Sequence, residues 1–192
     1  MQIFSYVVDH DDGKEPNPFF DTCTLCRCKY GEKLERTKGK EGPRNIVELA
    51  EVGDWIVGTG GKSNRSTGNG TLIYVMKVDE VLTREDFGKK YPEKKSEPPK
   101  YNFEKCKQFA LISRHFWYFG SKAVSIPERF KRKEPNGFIL EKRGQGFRCI
   151  EPENFDKFYK WLKKKYSLGK HGKPCVNIVD QTKGCKSCKS SC

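Results

Sequence analysis

Apolar residues in this sequence are grouped into short runs separated by turn-forming residues, a pattern typical of strands. Residues 3–8 are predicted to form a buried strand, and residues 54–58 a second one. Residues 71–81 have apolar side chains at both odd and even positions, which predicts a strand that is buried on both faces. Further strands are predicted within residues 109–120, 138–140 and 147–150.

The clearest helical pattern lies near the C-terminal end. Apolar residues recur at steps of three and four over residues 152–168, and Pro152 suits the first turn of a helix. The other face of this helix carries four lysines: Lys157, Lys160, Lys163 and Lys164. Two shorter helices are predicted at residues 43–52 and 83–91. Because short strands and helices are interleaved without regular alternation, the sequence predicts an α+β domain rather than a Rossmann sheet.

The charge of the chain points to its partners. The 192 residues include 38 Lys and Arg against 25 Asp and Glu, a formal net charge of +13. Such a surplus attracts polyanions, and the 12% of residues that are aromatic include rings suited to stack on bases. We therefore expect DNA, RNA or nucleotides as partners. No apolar run approaches the roughly 20 residues of a membrane span and no signal peptide is recognisable, so we expect no membrane partner and a cytoplasmic location.

Several segments resemble known families. The helix–Gly-Asp–strand step at residues 50–57 resembles that of the PUA-like superfamily, which includes ASCH, EVE and YTH domains. A longer set of motifs resembles the nucleotide modification associated domain, second family, and covers most of the chain up to about residue 174. These motifs are SYVVDHDDG at residues 5–13, PNP at 16–18, CTL at 23–25, GDWIVGTG at 53–60, YFG at 118–120 and GQG at 144–146.

The resemblance implies both a fold and a context. The fold is a PUA-like curved β-barrel with flanking helices over residues 1–174, followed by a cysteine-rich tail at residues 175–192. The context is DNA base modification, with a base or modified base as ligand. This implication is consistent with the basic charge, but it does not identify the base or the chemistry.

An acidic group at the end of the first strand is the main candidate for chemistry. Asp9, His10 and Asp11 combine carboxylates with an imidazole, which suit water activation, divalent metal binding or recognition of an exocyclic amine. On the residues alone, a polar turn that ends a strand is the favoured explanation. With the resemblance, we predict a pocket beside them. The predicted base-binding residues are Trp55, Gly58, Thr59, Gly60, Gly61 and Tyr118.

Basic residues in two glycine-containing segments are the candidates for phosphate binding. They are Lys62, Arg65, Arg143, Gln145 and Arg148. Guanidinium groups and exposed backbone amides both bind phosphate. Residues 58–63 do not form a Walker A loop, because that motif requires a glycine where this chain has Ile56.

The nine cysteines cannot all pair with one another, and reduced thiols at short spacing are typical zinc ligands. We predict a zinc ion bound by Cys23 and Cys26 together with Cys185 and Cys188, which requires the two ends of the domain to meet. The alternative is a set of free thiols in a polar tail.

Three functions remain open from the sequence. The leading one is a binding domain for a nucleic acid or nucleotide in DNA base modification. The second is an enzyme that modifies or hydrolyses a nucleotide or base, with Asp9, His10, Asp11 or Cys23 as catalytic groups. The third is a zinc-stabilised interaction module. Neither catalysis nor oligomeric state follows from the residues.

Overall fold

A computed structural model describes residues 1–26, 45–95, 109–131, 140–141 and 146–175 of the chain. These residues form an α+β fold in which two β-sheets pack face to face and a long helix covers one of them. The strands are β1 (Ile3–Val8), β2 (Asn17–Phe19), β3 (Thr22–Leu25), β4 (Trp55–Gly60), β5 (Thr71–Lys77), β6 (Glu80–Thr83), β7 (Phe109–Ser113), β8 (Phe116–Tyr118), β9 (Val124–Ser125), β10 (Phe147–Cys149) and β11 (Gly169–Lys170). The helices are α1 (Ile46–Leu49), α2 (Arg84–Lys90) and α3 (Pro152–Lys165).

The first sheet has the strand order β10-β1-β4-β5-β8-β11, and β9 pairs with the start of β5. Two pairs in it are parallel, β1 with β4 and β8 with β11, whereas the others are antiparallel. The second sheet has the antiparallel order β2-β3-β7-β6. Neither order returns to its starting strand within the described residues. The predicted α+β class is therefore confirmed, but the predicted PUA-like barrel is not.

The single strand predicted over residues 71–81 is wrong, because the chain changes sheet within it. β5 ends at Lys77, and β6 begins at Glu80 in the second sheet. The Asp79 carboxylate accepts the backbone amides of Arg114 at 2.5 Å and His115 at 3.3 Å. These bonds hold the β5–β6 connection against the β7–β8 turn. The chain passes from the first sheet to the second at the former and returns to the first sheet at the latter.

Two apolar cores cover the two faces of the first sheet. Its inner face packs against the second sheet, with Phe4, Ile56 and Leu111 among the fully buried residues. Its outer face packs against α3 through Phe158 and Leu162. Burial on both faces explains why the central strands are apolar at odd and even positions alike.

The helix ends follow local capping. Thr83 accepts the Asp86 amide at 3.2 Å, which confirms the predicted start of α2. The α1 helix begins after Asn45, whose side chain accepts the Glu48 amide at 3.0 Å, and the predicted start at Pro43 lies outside the described residues. The α3 helix ends three residues before the predicted position, since Tyr166 is extended and its carbonyl accepts the Trp117 indole N–H at 3.0 Å.

None of the helices in the described ranges is long and apolar enough to cross a membrane.

Candidate functional site

A row of three tyrosines and a glycine crosses the inner face of the first sheet. The strand register pairs Tyr6 with Gly58, Gly58 with Tyr74, and Tyr74 with Tyr118. A Cβ atom at Gly58 would overlap the Tyr74 ring, so the absence of a side chain there is what admits the ring. The hydroxyls of Tyr6 and Tyr74 are hydrogen-bonded at 2.8 Å. The row is buried, so Gly58 and Tyr118 pack the core in this structure rather than line an open base pocket.

The predicted loop at residues 58–61 also needs correction. Gly58, Thr59 and Gly60 belong to β4, because this strand continues its parallel pairing with β1 as far as Val8. Thr59 is fully buried, and its hydroxyl donates to the Tyr6 carbonyl at 3.2 Å. The turn begins only at Gly61.

A buried carboxylate joins three distant segments. The Tyr118 hydroxyl donates to Asp11 Oδ1 at 2.6 Å, and the Cys175 thiol donates to Asp11 Oδ2 at 3.2 Å. Burial raises the pKa of Asp11 above its ordinary value, although both donors oppose this rise. Burial, reinforced by Asp11, also raises the pKa of Tyr118 and raises that of Cys175 to about 12. The hydroxyl and thiol therefore stay protonated, as their roles as donors require.

The structure brings the end of β1 against the turn that follows β4. The Asp9 carboxylate lies against Gly61, where a Cβ would overlap it. The Ser66 hydroxyl accepts the Gly61 amide at 2.9 Å and donates to a β1 carbonyl at 2.6 Å. The Asp11 amide donates to the Arg65 carbonyl at 3.3 Å. The side chains of His10, Lys62 and Arg65 are exposed on this edge.

Two of the four predicted catalytic side chains have no access to solvent. Asp11 and Cys23 are 0% exposed, so neither contacts a ligand in this structure. Asp9 is half-buried and His10 is exposed. The acidic group is thus divided between a surface pair and an internal hydrogen-bond acceptor.

Trp55 does not join the predicted pocket. It pairs with Ile3 at the start of β1, whereas the acidic group follows the end of that strand. Its ring faces the outer core, 5.1 Å from the Tyr159 ring and 5.4 Å from the His115 ring, measured between centroids. Alternation along β4 explains this position, because odd-numbered residues of the strand face α3 and even-numbered ones face the second sheet.

The remaining phosphate and metal predictions are only partly covered by the described residues. Arg148 is half-buried on β10, opposite Ser5 of β1 and away from the residue 61–66 turn. Arg143, Gln145, Cys185 and Cys188 lie outside the described residues.

The two described zinc candidates lie in different apolar clusters. Cys23 packs between the sheets, and Cys26 packs against Phe87 of α2. Within the described ranges, no group of three or more His, Cys, Asp or Glu side chains is arranged to hold a metal ion. The shared zinc site stays a prediction.

A basic cleft that the sequence did not predict lies at the end of β8. It has a volume of about 380 Å³ and is lined by Ser121, Lys122, Lys170, His171, Gly172 and Lys173. Backbone bonds hold its walls together: the Ser121 amide donates to the Lys173 carbonyl and the His171 amide to the Tyr118 carbonyl, both at 2.8 Å. The signal in the sequence was the run Lys-His-Gly-Lys at residues 170–173, which carried no predicted role.

The α3 helix, which ends five residues before Lys170 of the cleft, presents an exposed basic face. Five exposed lysines lie on it: Lys157, Lys160, Lys163, Lys164 and Lys165. Exposed acidic residues within the helix are Glu153 and Asp156, and Asp156 pairs with Lys160 at 2.7 Å. The segment that follows α3 contacts the cleft, because the His171 Nε2 atom lies 2.8 Å from the Ser167 carbonyl oxygen.

Comparison with known proteins assigns the chain to a family. Residues 1–108 and 92–181 match the family model described as nucleotide modification associated domain 2, or Nmad2. The chain belongs to this family. The Nmad2 match covers both halves of the buried network, with Asp11 in the first segment and Tyr118 and Cys175 in the second. It also includes the basic cleft. No curated protein and no solved structure matches the chain.

Membership confirms the family resemblance drawn from the sequence and, through the family description, an association with nucleotide modification.

Proposed function

We propose that this Nmad2 protein binds nucleic acid through its phosphate backbone, as part of DNA base modification. The observation that carries the proposal is the exposed lysine face of α3. The family description and the net charge of +13 support the same reading.

The geometry of this face suits a polyanion. Lys157, Lys160 and Lys164 recur at steps of three and four residues, so their ammonium groups follow one side of the helix. Each lysine that neutralises a phosphate releases condensed counterions, which favours binding at low salt. The last turn adds Lys165, whose ammonium lies 5.9 Å from the Trp161 ring centroid and 5.7 Å from that of Tyr166.

We assign contact with a base to a second exposed surface, at the end of β1. We propose Asp9 and His10 for the base and Lys62 with Arg65 for its phosphate, because the end of β1 lies against the turn that carries both basic residues. The enzymatic alternative gains no support from Asp11 or Cys23, since both are fully buried.

The test compares two variants that lose the same charge. In one, Lys157→Gln and Lys164→Gln remove lysines from the α3 face; in the other, Lys89→Gln and Lys90→Gln remove exposed lysines from α2, which packs on the second sheet. Binding of fluorescent single-stranded DNA is measured by anisotropy. We expect the α3 variant to bind about tenfold more weakly and the α2 variant to bind nearly as wild type. Equal losses in both would mean that only the total charge matters.

A further inference from the structure

The basic cleft at the end of β8 has the charge and shape of a site for a small dianion. Its side chains supply three ammonium groups, from Lys122, Lys170 and Lys173. Within the part of the chain that the structure describes, none of these ammonium groups forms an ion pair, and no carboxylate lines the cleft. All three lysines are exposed, so together they present a positive potential to an anion that enters the cleft.

The walls of the cleft are fixed before any ligand binds. Gly172 lies against the Phe119 carbonyl, and a Cβ there would overlap it. Gly120 has a positive φ of 51°, and a Cβ there would overlap the Lys173 carbonyl. Both residues must be glycine for the two segments to approach this closely. A preformed site loses little conformational entropy on binding.

The His171 ring is also held in place. It stacks on Phe119 with ring centroids 5.0 Å apart and an interplanar angle of 23°. Its Nε2 atom faces the Ser167 carbonyl, which only accepts hydrogen bonds, so Nε2 carries the proton. The imidazole therefore forms a rigid wall of the cleft, and the flexible lysines supply the charge.

We propose that this cleft binds the phosphomonoester of a nucleotide. A phosphomonoester carries about −1.5 to −2 charges at neutral pH, whereas an internal phosphodiester of a strand carries one, so several lysines around one cavity favour the former. The volume of about 380 Å³ lies within the range of small-ligand sites, and it exceeds the space that one phosphate group needs. The inference rests on the proposed function only in taking the phosphate to be that of a nucleotide.

Two sources present the same chemistry, a free nucleoside monophosphate and the 5′ end of a strand. The first arm of the test titrates the protein with a nucleoside 5′-monophosphate and with the corresponding nucleoside by calorimetry. The second arm compares one short DNA strand with a 5′-phosphate and with a 5′-hydroxyl. We expect the phosphorylated form to bind about tenfold tighter in at least one arm, the effect of one charge-assisted hydrogen bond. The arm that shows the preference identifies the source.

The control variants locate the preference. Lys122→Gln with Lys170→Gln should reduce the affinity ratio between the phosphorylated and unphosphorylated ligands to about one. Lys157→Gln with Lys164→Gln should weaken the binding of both DNA strands equally and preserve this ratio. No preference in the wild-type protein, or a preference that survives in the cleft variant, overturns the assignment. Failure of the proposed function is distinct from this outcome, because it would abolish binding of the 5′-hydroxyl strand and leave the monophosphate titration intact.

Discussion

The Tyr118 hydroxyl donates a 2.6 Å hydrogen bond to the carboxylate of Asp11, which lies 107 residues earlier in the chain. The same carboxylate accepts the thiol of Cys175, 164 residues later. One buried acid thus connects the end of β1, the end of β8 and the segment after β11. Because the last two also form the walls of the basic cleft, the network positions the cleft against the first sheet.

Substitution of this acid by its amide should change how stability depends on pH. The folded pKa of Asp11 is raised above 3.8, so the folded state holds this proton more tightly than the unfolded state. Protonated Asp11 therefore adds to the free energy of unfolding. This addition is fully present below the unfolded-state pKa of 3.8 and is lost as pH rises through the folded pKa, by up to about 1.4 kcal/mol per pH unit. Asp11→Asn mimics the protonated form and lacks this loss. Urea unfolding from pH 4 to pH 8 should therefore show the wild-type protein losing stability relative to the variant as pH rises. A difference that stays constant or grows in the opposite direction contradicts the assigned pKa shift.

The Gly58→Ala substitution should destabilise the fold by about 1–3 kcal/mol, because the new methyl group overlaps the Tyr74 ring. The cause is checked in a second background, Tyr74→Leu, in which the ring is absent. There the cost of Gly58→Ala should fall well below its value in the wild-type protein. Equal costs in both backgrounds would show that the ring is not the reason for the glycine.

The Cys175 thiol should resist alkylation in the folded protein. Its side chain is buried and its pKa is raised to about 12, so at pH 8 about one molecule in ten thousand is the reactive thiolate. Cys149 on β10 is exposed and provides the comparison. Iodoacetamide labelling followed by peptide mass spectrometry should modify Cys149 at least tenfold faster, and the two rates should converge in urea. Rapid native labelling of Cys175 would place it at the surface.

Local patterns predicted the elements of this fold well. The strand at residues 3–8 is confirmed, as are the Thr83 cap and the helix that begins at Pro152, because each depends on neighbours within a turn or a strand. The change of sheet after Lys77 was not predictable in the same way. It depends on the Asp79 carboxylate meeting backbone amides 35 and 36 residues away.

The site was harder to predict than the fold. The sequence placed Asp9 and the residue 58–61 segment in one pocket, but their contact depends on the parallel pairing of β1 with β4, two strands that are not consecutive in the chain. Trp55 was misplaced, because the sequence indicates a strand near residues 54–58 but not which face of the sheet each of its residues occupies. The basic cleft was missed, since its walls come from two segments about 50 residues apart and only β8–β11 pairing brings them together.

The salt dependence of DNA binding tests the central claim most directly. For a single strand, the logarithm of the binding constant falls with the logarithm of salt concentration by about 0.7 for each phosphate neutralised. Lys157→Gln with Lys164→Gln should therefore make the slope shallower by about 1.4, while Lys89→Gln with Lys90→Gln should leave it unchanged. An unchanged slope in the α3 variant, with the slope altered by the α2 variant instead, would contradict the assignment of the lysine face of α3 as the surface that binds nucleic acid.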